Sequence, residues 1–306
     1  MKFLVMRFMT TWLDRVVKKL LHSPLRGMKR FYRSANYRSV LNAPERGAPT
    51  FCNVKIAAQF ERISKRLDDA EEIVLVTGAG VSADSGIPTF RDGMTGLWNN
   101  VNPDQVASIQ GFLDDPDRVW QWHASLKTLI DQKQPNHGHD AIAEFERMFF
   151  GKRFTVITQN IDGYHAKVGN SRVFEIHGSI HRLRCFRHCG FLQYWEDANT
   201  YPIKCPSCGA ATRPDVVWFG EPLNEDLFAF AEAAVLNADI VFSVGTSLTV
   251  HPVARFPQMA KDSGALVVEI NPFETPFSSI ADISFRHGAG EFFPQLLRHI
   301  TNARKG

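Results

Sequence analysis

The sequence predicts an α/β fold: a parallel sheet flanked by helices, with a small metal-binding insertion and a helical module. Three observations predict it. Five short apolar runs each end in polar or glycine residues, segments of helical spacing lie between them, and four cysteines fall as two close pairs, Cys185-x3-Cys189 and Cys205-x2-Cys208. The chain has 306 residues, 44% of them hydrophobic and 22% charged, which suits one large soluble domain plus a smaller one. No stretch of about 18 uninterrupted apolar residues occurs, so no membrane span is expected.

The net charge of +3 is unevenly spread. Residues 1–46 carry 11 Lys and Arg against Asp14 and Glu45, a balance of +9, which leaves the remainder at −6. A mildly acidic body disfavours general nucleic-acid binding by the main domain. In the basic segment Trp12, Leu13, Val16, Val17, Leu20 and Leu21 recur at helical spacing, with Arg15, Lys18 and Lys19 on the other face. Arg7 interrupts the only apolar run near the start, so a secretory signal is not expected. Residues 1–50 read as a basic accessory extension, as an organelle presequence, or as a surface for membrane or nucleic acid. A cytoplasmic location is expected, or a mitochondrial one if the extension is a presequence. Nothing in the sequence sets the oligomeric state, and a monomer is the expectation.

Ile56 to Leu67 has the spacing of an amphipathic helix, with apolar residues at 56, 57, 60, 63 and 67. Ile73–Thr77 follows as a buried parallel strand. It runs into Gly78-Ala79-Gly80-Val81-Ser82-Ala83, where glycines let the backbone turn and approach a pyrophosphate, and a following helix would offer its N–H groups. A hydride-transferring dinucleotide enzyme also needs a second strand ending in an acidic residue about 20 residues on. None appears, so a dinucleotide bound in another way is expected. Beyond Trp98, the stretch Arg118-Val119-Trp120-Gln121-Trp122-His123 reads either as core of an inserted helical module or as the wall of an apolar channel.

Further strands are expected at Phe154–Thr158, Val173–Ile176, Ile240–Val244 and Ala265–Ile270. They end at Gln159-Asn160-Ile161-Asp162, His177-Gly178, Gly245-Thr246-Ser247 and Asn271. In open parallel sheets ligands bind outside the carboxyl ends of the strands, so these termini converge on one edge. Helices are expected at Ala141–Phe150, Leu227–Leu236 and Glu291–Ile300. Two cysteine pairs can close a tetrahedron around a structural zinc ion, and cysteines used as ligands point to a reducing compartment. The three-residue spacing of the first pair is loose, and His188 is an alternative ligand to Cys189. Among 11 histidines, His177 stands out: it follows a buried strand and precedes a glycine, which suits a general base at the ligand edge. His137 and His139 read as turn and helix-start residues.

These residues together resemble a known pattern. The run from Gly78 to Arg91, Thr158–Asp162, His177-Gly178, the four cysteines, Val217-Trp218-Phe219-Gly220-Glu221, Gly245-Thr246-Ser247 and Asn271 resemble, in order, the signatures of the sirtuins, NAD-dependent protein-lysine deacylases. The likeness runs from about residue 70 to 295. It implies an inverted Rossmann-type domain over residues 51–306, a zinc-binding small domain over 179–215, and NAD and acyl-lysine peptide meeting between them. NAD is then consumed, with release of nicotinamide and O-acyl-ADP-ribose, and the zinc is structural.

The resemblance also implies roles. His177 would be the general base, with Asn160 and Asp162 orienting ribose and carboxamide. Gln159 would hold the ribose, Phe90 would shield C1′, and Arg91 would sit near the phosphates. Gly78, Ala79, Gly80, Ser82, Ala83, Trp98, Ile161, Gly245 and Thr246 would line the NAD site. Ser247 and Asn271 would contact the adenosine half, and Ala289 the adenine. Val217, Phe219, Gly220 and Glu221 would add the peptide as a strand. The spacing is similar to the bacterial and mitochondrial branch that removes acidic acyl groups. Its Tyr-x-x-Arg pair, however, falls on His123 and Leu126, while the small Ala107 is kept. Without the arginine a buried carboxylate loses its bidentate partner, so neutral acyl groups are expected, with His123 compensating in part. Two other readings stay open: ADP-ribose transfer to protein or NAD hydrolysis in the same pocket, and a zinc-ribbon nucleic-acid binder using Arg182, Arg184 and Arg187.

Overall fold

The most apolar run of the chain lies at the centre of the sheet. The computed structural model describes residues 54–89, 101–196 and 202–305. Strand β1 (Glu72–Thr77) is buried along its whole length. It pairs in parallel with β2 (Arg153–Thr158) on one side and β7 (Ile240–Val244) on the other. The sheet continues outward through β3 (Val173–Glu175) beyond β2, and through β8 (Leu266–Ile270) and β9 (Ile283–Phe285) beyond β7. All six strands are parallel, which explains their near-continuous apolar character: helices cover both faces. Ile73 and Leu75 pack on one face with Phe60, Ile63 and Leu67 of α1 (Val54–Asp69). Val74 and Val76 face the other way.

Helices α5 (His137–Met148) and α9 (Ala289–Ala303) share the first face, through Phe145, Phe292 and Phe293. Helices α7 (Glu225–Leu236) and α8 (Phe256–Asp262) cover the second through Ala231, Ala234, Phe256 and Ala260. A single turn, α6 (Tyr164–Lys167), lies between β2 and β3. Two helices begin earlier than their apolar periodicity indicates, because Asn136 and Asn224 cap them ahead of the first buried residue. Strand β9 has no strand signal in the sequence. It is three residues long and rests on β8.

Between β3 and β7 the chain leaves the large sheet and forms a separate antiparallel one, in the order β5 (Leu192–Tyr194), β4 (Gly178–Cys185), β6 (Thr212–Val216). Pro214 is tolerated in β6 because that strand pairs on one side only. A helical module, α2 (Pro103–Val106), α3 (Ile109–Asp114) and α4 (Pro116–Asp131), packs on this small sheet. Val119, Trp120 and Leu126 meet Ile180, Leu183, Trp195 and Trp218. Trp120 is fully buried and edge-on to Trp195 at 5.1 Å, so the aromatic stretch is core. No described helix is long and apolar enough to cross a membrane. The amphipathic segment expected at residues 12–21 lies outside the described residues.

The order of strands reverses direction at β1, whose neighbours β2 and β7 lead the chain opposite ways. Their connecting loops part there, which opens the crevice where ligands of such sheets bind. Gly78 and Gly80 sit in this gap against Gly245 and Thr246. A Cβ on Gly80 would lie 2.7 Å from the Gly245 carbonyl oxygen, and one on Gly245 would lie 2.6 Å from the Val81 nitrogen. Gly80 donates its N–H to that same carbonyl at 2.8 Å. The expectation reserves these glycines for a pyrophosphate. The structure gives them a packing duty as well, backbone on backbone. The helix expected after the loop is instead two single 3₁₀ turns, Ala79–Val81 and Ala83–Ser85, ended by Gly86 at φ 78°. Gly80→Ala is expected to lower stability by about 1–3 kcal/mol through overpacking, read as a lower denaturant midpoint. An unshifted midpoint would mean that the two loops can separate freely.

Candidate active site

The floor of the crevice is built from strand ends tied to one another. Gln159 closes β2 and reaches across β1, its Nε2 donating to Thr246 Oγ1 at 2.9 Å. Asn271, just past β8, donates from Nδ2 to the Thr246 carbonyl at 2.8 Å and accepts from the Phe273 N–H. Ser247, half-buried, shares a hydrogen bond with Thr249. Thr246 therefore joins three of the predicted loops, and the site residues Gly78, Gly80, Gln159, Gly245, Thr246 and Asn271 come together. Ala79 is half-buried and Ala83 exposed beside them. Phe90, Arg91 and Trp98 lie outside the described residues. Ala289 is buried against Gly138 at the first turn of α5.

Behind the floor lies a buried polar cluster. Ser82 Oγ donates to Asp162 Oδ2 at 2.7 Å and accepts from Asn160 Nδ2 at 3.0 Å. Asp162 also accepts the Tyr164 N–H. Burial foremost pushes the Asp162 carboxyl above its ordinary pKa, against the pull of these donors. His139 Nδ1 faces the Asn136 N–H at 3.3 Å, which leaves the proton on Nε2, 3.4 Å from Ser82 Oγ. Desolvation pulls its pKa down to about 3 and that of neighbouring His165 to about 4, so both rings are neutral near pH 7. The sequence marked His139 only as a helix-start residue. It is that, closing a capping box with Asn136, but it also backs the cluster. The signal for that second role was absent, because α5 and the loop after β1 are far apart in the chain.

His177 lies where the chain leaves β3 for β4. Its ring Nδ1 is 3.0 Å from the Gln159 carbonyl, which can only accept, so the proton sits on Nδ1 and Nε2 keeps its lone pair. Its own carbonyl accepts from Val217 N–H at 2.9 Å. Burial lowers its pKa below the ordinary value, so the ring is an unprotonated base at neutral pH.

Val217 starts the segment that joins the small sheet to the helical module. Phe219 N–H donates to the Ala107 carbonyl at 3.0 Å, while Phe219 as a whole is 48% exposed. Gly220 is exposed at φ 81°. The Glu221 side chain turns inward to Arg213, Arg184 and the Trp218 N–H, and its own N–H donates to the Trp218 carbonyl at 3.0 Å, so only its backbone carbonyl is left for a peptide. Arg213 is buried, lies 3.2 Å from the Trp218 ring centroid, and has its pKa lowered to about 10, chiefly by desolvation. The structure removes His123 from the expected compensating role. Its Nδ1 donates to the Val119 carbonyl at 2.8 Å, its Nε2 accepts from Trp218 Nε1 at 3.3 Å, and burial pulls its pKa to about 4. A neutral ring with both nitrogens engaged cannot pair with a carboxylate.

The four cysteines converge. Their Sγ atoms all lie within 4.8 Å of one another, with Cys185–Cys208 and Cys189–Cys205 at 3.5 Å. Thiolates at about 2.3 Å from a tetrahedral zinc stand about 3.8 Å apart, so the set fits that ion. Within the loosely spaced first pair His188 turns left-handed (φ 53°), and Gly190 (φ 90°) does so just after Cys189. His188 is not part of the cluster. Arg182 and Arg184 are committed to ion pairs with Glu175, Asp215 and Glu221, so two of the three arginines weighed for nucleic acid are already partnered.

The Sir2 family profile matches residues 78–252. The chain is 43% identical to the NAD-dependent protein deacylase 1 of Archaeoglobus fulgidus over 79% of its length and 98% of that protein. It is 43% identical to an NAD-dependent protein deacylase of Thermus thermophilus over 78% and 94%. A Sir2 homologue solved as an NAD complex superposes with a TM-score of 0.73 at 42% identity, covering 79% of this chain and 94% of that one. A Sir2 bound to acetylated peptide does so at 0.69 and 29%, covering 78% and 97%. The chain belongs to the Sir2 family.

The zinc set is at the far end of the small sheet, so its duty is to hold β4 to the 203–212 segment. Cys205→Ser is expected to reduce bound zinc below one per chain and to lower the Tm, measured by elemental analysis and thermal melting. Full zinc retention would show that a ligand other than Cys205 completes the site.

Proposed function

We propose that this chain is an NAD-dependent protein-lysine deacylase that prefers neutral acyl groups. The observation that carries the reading is His177: a half-buried, neutral imidazole held through Nδ1 at the end of β3, beside the loops that close the crevice. The donor set fits a dinucleotide, with glycine loops at the strand reversal and uncharged Ser82, Gln159, Thr246 and Ser247 around them. NAD supplies the ADP-ribosyl group that accepts the acyl unit, with nicotinamide as its leaving group. His177 Nε2 takes a ribose hydroxyl proton. Asn160 and Asp162, locked through Ser82, orient the ribose and carboxamide. The backbone at Phe219–Glu221 receives the peptide as an added strand. Water exclusion by the apolar packing around Trp218 and Ile180 supports a step that builds positive charge on the sugar.

The neutral-acyl preference is supported by what stands at the two specificity positions: Leu126 is apolar and His123 is neutral and fully engaged. Side-by-side turnover of acetyl-, longer acyl- and succinyl-lysine peptides is expected to rank succinyl last. Succinyl as the best substrate overturns the preference.

Only the unprotonated base is active, and it is the form present above the lowered pKa. Activity is therefore lost as pH falls through that value, and the acid limb of kcat/KM is expected to have its midpoint below about 6.5. His177→Ala is expected to reduce deacylation by about 10²–10⁴-fold with zinc content and Tm retained. Undiminished turnover would remove His177 from the mechanism. Mass spectrometry of the products separates this reading from its rival: O-acyl-ADP-ribose supports deacylation, and protein-linked ADP-ribose supports transfer.

A further inference from the structure

The chain passes from the large sheet to the small one through His177, and one guanidinium closes over that passage. Two residues before it, Glu175 ends β3; two residues after it, Ser179 pairs with Asp215 of β6. Arg182 Nη1 donates to Glu175 Oε2 at 2.7 Å, and its Nε donates to Asp215 Oδ2 at 2.8 Å. The two carboxylates are each mostly buried, so the bridge is better shielded than a surface pair.

The backbone makes this bridge possible. The next pair after Ser179–Asp215 is Leu183–Pro214, so Ile180, His181 and Arg182 bulge out of β4 without partners in β6. Each has a separate attachment. Ile180 N–H donates to the Ile161 carbonyl at 2.9 Å, and His181 Nε2 meets Asp131 of α4 at 2.9 Å. Arg182 ties β3 to β6. On the opposite side the passage has no slack, since a Cβ on Gly178 would lie 2.0 Å from the Asp215 carbonyl oxygen. The ion pairs run on from Asp215 to Arg184 at 4.0 Å, from Arg184 to Glu221 at 3.1 Å, and from Glu221 to Arg213. A continuous chain of charges thus links the strand before His177 to the segment expected to take the peptide.

We propose that Arg182 is a positioning residue: by bridging Glu175 and Asp215 it holds the His177 backbone between the two sheets, so that the imidazole keeps its bond to the Gln159 carbonyl. The role rests on the reading of His177 as the base. An arginine suits it because a planar fork can hold two carboxylates at once, where a lysine ammonium on a flexible stem holds one well. The cost of losing the bridge falls on the placement of the base. It does not fall on NAD affinity, which the loops of the large sheet supply.

The test compares full-length wild type with Arg182→Gln and Arg182→Lys. Arg153→Gln serves as control; it breaks a carboxylate bridge to Glu72 at the far end of the large sheet. Steady-state kinetics with NAD and acetyl-lysine peptide, zinc content and Tm are measured, together with the His177 tautomer from ¹⁵N-histidine spectra. For Arg182→Gln we expect kcat to fall on the order of tenfold or more, since small misplacements of a catalytic group are costly. KM for NAD is expected to stay within about twofold, the Nδ1–H tautomer to give way to a mixture, and Arg182→Lys to recover part of both losses. An Arg182→Gln enzyme with wild-type kcat and tautomer overturns the proposal, as does an equal kcat loss in Arg153→Gln. If Arg182→Gln fails to fold, Arg182→Lys decides by the same readouts. A wild type that does not deacylate would overturn the proposed function, while the tautomer would still decide whether Arg182 positions the ring.

Discussion

The contact between two glycine loops at the reversal of strand order is the constraint from which the rest of the site follows. With Gly80 and Gly245 backbone to backbone, the ends of β1 and β7 cannot be farther apart than a hydrogen bond allows. That closeness lets Gln159 span β1 to reach Thr246, and lets Asn271 reach the same residue from β8. A side chain at either glycine would push these strand termini apart and with them every polar group lining the crevice.

Within that frame the site handles its buried polar groups by keeping them neutral or fully engaged. His139, His165 and His123 are all driven to the neutral form by burial, and each has at least one ring nitrogen in a hydrogen bond. Asp162 is the exception, a buried carboxyl held by a hydroxyl and a backbone N–H. Burying an unpaired charge is costly, so a group that can ionise inside this cluster is worth its place only if its donors are fixed. Ser82 supplies one of them and is itself held by Asn160, which gives the buried serine of the glycine loop a structural duty.

The small sheet is organised differently. Its interior carries Arg213, stacked on Trp218 and paired with Glu221, beside Arg184. Such pairs add little stability over apolar packing but are severe to break singly, so they favour one arrangement over neighbouring ones. The arrangement they favour keeps the Trp218–Glu221 segment against the helical module, where Phe219 N–H meets the Ala107 carbonyl. The cysteine cluster closes the opposite end of β4. One strand is thereby anchored at both ends, with His177 at one of them.

The sequence alone determined five of the six strands of the large sheet and much of its chemistry. Runs such as Ile73–Val76 and Ile240–Val244 are apolar because both faces of a parallel sheet are covered, and that signal is local. The cysteine spacing and the run from Gly78 to Arg91 are local too, and they carried the family. Tertiary structure decided what depends on partners distant in the chain. Arg182 and Arg184 read as candidate nucleic-acid contacts until Glu175, Asp215 and Glu221 stood beside them. His123 read as a possible partner for a carboxylate until Trp218, 95 residues away, took its second nitrogen. Strand β9 and the bulge in β4 left no mark in the sequence, because three residues are too few for a period to show and a bulge is defined only by the strand it fails to match.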